Sequence, residues 1–136
     1  MRVRLMACAQ SAVIDQQSNA MSIFNIMQEI NAPGFPFAIA GMVIATLISL
    51  DEGETGDPTD VRIRMNLGEM QLLDAPMILQ FQGRRNLRHI SGIQALLIPT
   101  PHDLTVSIHQ GDTVLATWPI EIRHVGAPAI ENAAAQ

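Results

Sequence analysis

Five acidic residues lie close together between residues 51 and 60, in the stretch DEGETGDPTD. Calcium takes about six to eight oxygen ligands, so a loop rich in carboxylates is a candidate cation site. The spacing of these acids does not match an EF-hand loop, and the acids Asp103 and Asp112 of neighbouring loops are isolated. The pattern therefore favours a solvated loop between two strands, and we expect neither a metal ion nor a cofactor.

Three arginines, Arg84, Arg85 and Arg88, form a cluster beside the turn-forming Gly83. Guanidinium groups bind carboxylates and phosphates through paired hydrogen bonds, so the cluster is a candidate anion-binding site. Arginines near a turn are also commonly solvated or paired with acids of neighbouring loops, and both alternatives stay open. The net charge of −5 argues against a sequence-independent grip on nucleic acid phosphates.

Groups that could bind a transition metal or act as nucleophiles are scattered. His109 and His124 belong to one predicted hairpin but lie about 36 Å apart along it, at ~3.3 Å per residue, so they cannot share an ion. Ser91 lacks the first glycine of a Gly-x-Ser-x-Gly elbow, and Cys8 has no helix N-terminus beside it. The sequence predicts no catalytic residue, and we expect a protein that is not an enzyme.

The compartment follows from cysteine usage and from hydrophobic run length. Cys8 is the single cysteine, so no internal disulfide can form, and the cytoplasm is the expected location. The apolar run between residues 35 and 50 is shorter than the roughly 20 residues of a membrane-spanning helix. We expect neither a membrane nor a nucleic acid as partner.

The elements that carry these groups read as strands. Apolar residues alternate with polar ones between residues 61 and 67, which is typical of a half-buried strand. The strands are predicted at residues 3–14, 21–30, 35–50, 61–67, 77–81, 87–98, 104–109 and 113–124. They indicate an all-β fold, an antiparallel β-sandwich of about eight strands that is immunoglobulin/C2-like. Residues 1–125 are expected to form a single domain, followed by a flexible, alanine-rich tail at 126–136.

Two segments leave alternatives open. Residues 68–76 are expected to form a crossing loop, with or without a short helical turn. Residues 87–98 fit a helical period as well as a strand, and isoleucine-rich sequence ending at Pro99 favours a strand bulged at Gly92.

The last two strands make a sharper prediction about register. A two-residue turn at Gly111 and Asp112 would put the two apolar sets on opposite faces if the register continued unchanged. We therefore expect a three-residue loop or a bulge, with Gly111 or Asp112 at positive φ. The three-residue loop would pair Ile108 with Val114, and Leu104 with Trp118.

The stretch FPFAIAGMVIATLISL at residues 35–50 is apolar at odd and even positions alike. Alternate side chains of a strand point to opposite faces, so this strand either lies buried on both sides or presents one face to another molecule. One possibility is that residues 68–76 cover the second face. The other is a partner or homodimer interface, for which we select Met42, Ile44, Thr46 and Ile48.

The opening half of the chain resembles a known family. The residues that carry the resemblance are VIDQQSN at 13–19, SIFNI at 22–26, EI at 29–30 and FP at 35–36. In this order they resemble an uncharacterised bacterial β-sandwich family, a domain of unknown function. The resemblance implies a small β-sandwich from a bacterium and supplies no catalytic residue. The sequence thus predicts a non-catalytic protein-binding or scaffolding module, with a small-ligand or anion-binding module as the alternative.

Overall fold

The computed structural model describes residues 1–125, and these residues form strands and loops without a helix. Their strands are β1 (Arg2–Ile14), β2 (Met21–Ile26), β3 (Glu29–Ala32), β4 (Phe37–Ile39), β5 (Met42–Ser49), β6 (Val61–Leu67), β7 (Met70–Pro76), β8 (Asn86–Ile93), β9 (Leu96–Ile98), β10 (Leu104–Gln110) and β11 (Thr113–His124). The prediction of an all-β fold is confirmed. The tail predicted at 126–136 lies outside the described residues.

Two larger sheets contribute side chains to one hydrophobic core. The four-stranded sheet has the order β2–β1–β5–β8 and is antiparallel throughout. The five-stranded sheet has the order β3–β11–β10–β6–β7, and its β3–β11 pair is parallel. A short antiparallel pair, β4–β9, stands apart from both. The core draws fully buried side chains from each larger sheet, such as Ile44 and Ile48 of β5 and Met65, Ile108 and Ile120 opposite them.

Three of the predicted strands are each divided in two. The segment 21–30 pairs with β1 only as far as Ile26, and its end becomes β3 in the other sheet. The segment 35–50 breaks at Gly41, where an added Cβ would lie 3.4 Å from the carbonyl oxygens of Ile93 and Gln94. The segment 87–98 is a strand, as favoured, but it breaks after Ile93; Gly92 itself pairs in register with Val43.

The prediction of a crossing loop at residues 68–76 is wrong. Gly68, at φ +58°, turns the chain directly into β7, which pairs antiparallel with β6 at the edge of the five-stranded sheet. A register shift between Met65 and Asn66 lets the consecutive Leu72 and Leu73 both pack against the core. Two adjacent apolar residues broke the alternation that would have revealed this strand.

The prediction of a strand at residues 77–81 is also wrong, although its burial pattern is right. Met77, Leu79 and Phe81 are buried while Ile78 is 74 % exposed. The segment joins no ladder, and the amide of Phe81 donates instead to the Asp57 carboxylate at 2.8 Å. Alternating burial therefore does not require a strand partner.

The β10–β11 hairpin confirms the bulge and rejects the three-residue loop. Gln110 pairs with Thr113 across the two-residue turn, in which Gly111 has φ +57°. The register then shifts between Ile108 and His109, so the predicted pairs of Ile108 and Leu104 are wrong. The observed pairs that bring the two apolar sets onto one face are Ile108–Ala116, Val106–Trp118 and Leu104–Ile120.

Candidate functional site

The even-numbered residues of β5 are interior residues. Met42, Ile44, Thr46 and Ile48 are at most 2 % exposed, and the three apolar ones belong to the hydrophobic core. Thr46 donates its hydroxyl hydrogen to the backbone carbonyl oxygen of His89 at 3.2 Å. The selection of these four residues as a partner interface is therefore corrected, because the five-stranded sheet already covers them.

The odd-numbered residues of β5 point to the opposite face of the four-stranded sheet. Val43, Ala45 and Leu47 pair with residues of β1 and β8 that share this orientation, because paired side chains lie on the same face. This surface, the outer apolar face, comprises Leu5, Ala7, Ala9, Val13, Phe24, Ile26, Val43, Ala45, Leu47 and Ile90. None of its members belongs to the core cluster or packs against it. The strand thus has two apolar faces, as its sequence indicates. The even-numbered residues, predicted from the sequence to form the interface, face the core instead.

The expected cover of this face is elsewhere, since residues 68–76 form β7 of the other sheet. Leu5, Phe24 and Val13 of the outer apolar face are 41 %, 49 % and 54 % exposed. Ala7 and Ala45, which pair with each other across β1 and β5, are small and sunk between larger neighbours. The centre of the face therefore carries small side chains, and larger apolar side chains surround it.

The eight basic residues of the chain are all arginines, and they divide into two groups. Arg2, Arg62, Arg64 and Arg123 each have a carboxylate oxygen within 4 Å. Within residues 1–125, the other four have no such partner. These are Arg4, Arg84, Arg85 and Arg88, and they line three grooves. Arg4 and Arg88 line the first groove, Arg88 and Arg84 line the second, and Arg84 and Arg85 line the third.

The three arginines singled out from the sequence do not converge on a single point. Arg85 donates from Nη2 to the carbonyl oxygen of Leu50 at 3.0 Å, which ties β8 to the end of β5. Arg84 and Arg85 line a groove of about 280 Å³ with Glu54 and Asp57 of the acidic loop. Arg88 lies on the outer side of the four-stranded sheet, opposite Leu47. Sequence reasoning did not select Arg4. The only sequence feature that could have pointed to it is that it directly precedes the apolar Leu5.

Several acids of the loop at 51–60 have structural roles. Asp51 and Glu54 accept hydrogen bonds from the α-amino group of Met1. These bonds offset the desolvation of that amino group and raise its pKa, while they lower the pKa of Asp51. Asp57 accepts from the Phe81 amide. Among the residues described, no three His, Cys, Asp or Glu side chains are grouped closely enough to hold a metal ion.

The remaining candidate nucleophiles and bases have local partners. Ser91 Oγ lies 3.2 Å from Nδ1 of His89, two residues away on the same strand. His124 Nε2 lies 3.2 Å from the Pro33 carbonyl oxygen at the far end of β11. Cys8 is fully buried, and burial raises the pKa of its thiol to about 12, so the reactive thiolate does not form at neutral pH.

A polar cluster lies on the outer side of the five-stranded sheet. The Asp74 carboxylate accepts from Nε of Arg62 at 2.6 Å and lies 3.4 Å from Nε of Arg64; the Arg62 bond is the main cause of its lowered pKa. Ser107 Oγ lies 2.8 Å from Nε2 of His109. Desolvation lowers the pKa of His109, Arg64 lowers it further, and Asp74 opposes them. The two outer surfaces of the molecule therefore differ, one apolar and one ion-paired.

Comparison with known proteins identifies a family. A family model described as a family of unknown function (DUF6941) matches residues 4–123, which is nearly all of the described chain. A search of the curated proteins finds no match. The structure contains, within residues 1–125, no helix of the length and apolarity needed to cross a membrane.

Proposed function

The chain belongs to DUF6941, a family of unknown function, and from that starting point we propose that it is a non-catalytic scaffolding module that self-associates. Two copies pack their outer apolar faces against each other, so that Val43, Ala45 and Leu47 of β5 lie at the centre of a homodimer. The single observation that carries this proposal is a four-stranded sheet that is apolar on both sides and, within residues 1–125, packed on one.

The size of the outer apolar face supports a dimer. From Leu5 to Val13 the face runs about 26 Å at ~3.3 Å per residue, and four strands spaced ~4.8 Å apart make it about 19 Å wide. Two such faces would together bury on the order of 1,000 Å², which is about the minimum for a specific interface. Apolar patches of this size on soluble proteins commonly mark a contact surface.

The charges at the two ends of β1 favour a second copy as the occupant. The basic residues Arg4 and Arg88 lie at one end of the outer apolar face. Asp15 follows β1 at the other end, where the amides of Ser18 and Gln17 donate to its carboxylate and lower its pKa. A two-fold axis near Ala9 would bring the basic end of one copy over the acidic end of the other, as isologous packing requires.

A substitution within the outer apolar face tests the proposal. Phe24→Asp places a charge on the exposed end of β2, and Val114→Asp is the matched control, because Val114 is 52 % exposed on a strand of the other sheet. Sedimentation velocity at micromolar concentrations should show a wild-type dimer, a monomeric Phe24→Asp variant and a dimeric Val114→Asp variant. A wild-type monomer at about 100 µM, or a Phe24→Asp dimer, contradicts the proposal.

The non-catalytic part of the proposal is supported by the way the candidate groups are used. Cys8 is buried with a raised thiol pKa, and Ser91 is bonded to its own strand neighbour. The single cysteine, which can form no internal disulfide, also supports a cytoplasmic location, in a bacterium as the resemblance implies. Cell fractionation of the tagged full chain in its source organism tests the location, and recovery outside the cytoplasm contradicts it.

The finer fold class is part of the same proposal. Two mainly antiparallel sheets with a shared core support a sandwich of immunoglobulin/C2-like kind. An experimental structure whose strand connections match neither the immunoglobulin nor the C2 order would reject this class and leave the all-β fold intact.

A small-ligand or anion-binding module is the second candidate function. Its support is that Arg84, Arg85 and Arg88 have no carboxylate within 4 Å in residues 1–125, and that Arg84 and Arg85 share a groove of about 280 Å³. Thermal unfolding with a panel of anionic metabolites tests it. We expect a rise in Tm that the Arg84→Ala, Arg85→Ala double variant loses; an unchanged Tm with every anion contradicts this candidate.

A further inference from the structure

We infer that Arg4 and Arg88 form an oxyanion-binding site, for a phosphate or carboxylate group, in the groove at the basic end of the four-stranded sheet. The groove encloses about 240 Å³, and its polar lining comes from Arg4, Ser49, Asn86 and Arg88. The inference places the anion-binding site of the second candidate function at Arg4 and Arg88, instead of at Arg84 and Arg85. It does not depend on self-association.

A β-bulge brings Arg4 to this groove. Val3 pairs with Ile48 and Leu5 pairs with Leu47, so Arg4 is an extra residue between two consecutive pairs. A bulged residue is redirected relative to the regular alternation of the strand. Arg4 Nε consequently reaches Ser49 Oγ at 3.3 Å, on the side of the sheet that also carries Leu47.

A chain of hydrogen bonds holds Arg4 in place. Ser49 is 6 % exposed; its hydroxyl accepts from Arg4 Nε and donates to Asn86 Oδ1 at 2.6 Å. The Ser49 hydroxyl thus accepts one hydrogen bond and donates another, and the amide NH₂ of Asn86 remains available at the groove. The terminal nitrogens of Arg4 keep their hydrogens for another acceptor.

Arg88 supplies the second guanidinium. It lies across from Leu47 on β8, half-buried, and lines the groove from the other side of β5. Within the described residues no carboxylate lies within 4 Å of either arginine, whereas Arg62 and Arg64 share Asp74 on the other sheet. Within the described residues of one copy, the terminal nitrogens of Arg4, the guanidinium of Arg88 and the amide of Asn86 therefore have hydrogen atoms without an acceptor. An oxyanion provides what they lack, since guanidinium donors match its planar or tetrahedral oxygens.

Residue-specific titration by nuclear magnetic resonance tests the site on the full chain. The side-chain N–H signals of Arg4, Arg88 and Asn86 are followed while sodium phosphate, or in a second arm sodium acetate, replaces chloride at constant ionic strength and pH 7. The variants are Arg4→Gln, Arg88→Gln, the Arg84→Gln, Arg85→Gln double variant and, as matched control, Arg123→Gln, whose guanidinium is paired with Glu29. The titration is repeated in Phe24→Asp, which separates anion binding from self-association.

We expect saturable shifts at all three side chains, about a tenfold loss of affinity in Arg4→Gln and in Arg88→Gln, and unchanged affinity in Arg123→Gln. The affinity of Phe24→Asp should equal or exceed that of the wild type, because the partner's Asp15 no longer competes for the arginines. Stronger binding of phosphate identifies a phosphate group as the ligand, and stronger binding of acetate identifies a carboxylate. The inference is overturned if neither anion saturates these signals. It is also overturned if the Arg84, Arg85 variant alone loses binding, in which case the second candidate function stands without it.

Discussion

At the scale of single residues, Cys8 shows how position determines reactivity. Its side chain is fully buried on the inner face of β1, opposite Ile44, and burial raises the pKa of the thiol to about 12. The thiolate is the form that reacts with disulfides and alkylating reagents, so burial protects the sulfur both by access and by protonation.

The prediction is that Cys8 does not react with an aromatic disulfide reagent at pH 8 in the folded protein and reacts fully in denaturant. The variant Thr105→Cys in a Cys8→Ser background moves the thiol to an exposed position on β10 of the other sheet, away from the outer apolar face. That variant should react within minutes under native conditions. Fast labelling of native wild-type Cys8 would contradict the assigned burial.

Two histidines give the fold a pH dependence. Burial lowers the pKa of His89, and burial together with Arg64 lowers the pKa of His109 below the ordinary value of about 6.5. Between each lowered pKa and 6.5 the unfolded chain binds more protons than the folded chain. The free energy of unfolding therefore rises with pH across this window and falls on acidification.

The expected result is a lower urea midpoint at pH 5.5 than at pH 7, with most of the difference removed in a His89→Gln, His109→Gln double variant. Asp74→Asn should lower the pKa of His109 further, because Asp74 opposes the effect of Arg64. Imidazole chemical shifts measure that pKa directly. A midpoint that rises on acidification would reverse the sign of the argument.

At the scale of elements, β5 contributes side chains both to the hydrophobic core and to the outer apolar face. Its residues Ile44 and Leu47 lie three apart on opposite faces, one in the core and one in the outer apolar face. Removing buried methyl groups leaves a cavity, whereas trimming a partly exposed side chain does not.

Ile44→Ala should therefore lower the free energy of unfolding by about 2–5 kcal/mol. Leu47→Ala, the matched control on the same strand, should lower it by less than about 1 kcal/mol at concentrations where the chain is monomeric. Denaturant titration of both variants measures the two changes. Equal losses would show that the two faces are equally packed.

The sequence predicted the existence of this two-faced strand but not which face lies inside. Both sets of side chains are apolar, so hydrophobicity alone does not indicate which set faces the core. The larger volumes of Met42 and Ile44 were the available signal for the core. The β10–β11 bulge, in contrast, followed from the requirement that both apolar sets share one face.

At the scale of the whole molecule, the described surfaces divide by chemistry: an outer apolar face, an ion-paired face on the other sheet, and a group of arginines that have no carboxylate within 4 Å in residues 1–125. The strand content and the acidic loop could be predicted from local patterns. The parallel pairing of residues 29–32 with residues 121–124 could not, because pairing across some ninety residues leaves no local trace. The proposed arginine site also depends on pairing between segments that are distant in sequence, which brings Arg4 of β1 and Arg88 of β8 to the same groove.

Self-association should make the stability of the whole chain depend on concentration. Binding between folded chains stabilises them by mass action, so the wild-type Tm should rise when the protein concentration increases from about 1 µM to about 100 µM. The Tm of Phe24→Asp should stay constant over the same range. Scanning calorimetry with both proteins measures this, and a constant wild-type Tm would count against the dimer.

The pairing of β3 with β11 also has a consequence for the order of events during translation. Trp118 Nε1 donates to the Met27 carbonyl oxygen, Glu121 N donates to Gln28, and Val125 N donates to Ala32, so the early segment binds only the last strand. Until β11 has been synthesised, β3 has no strand to pair with. The β3–β11 pair can form only after residues 113–125 have left the exit tunnel, so this edge of the sheet closes late in the order of synthesis.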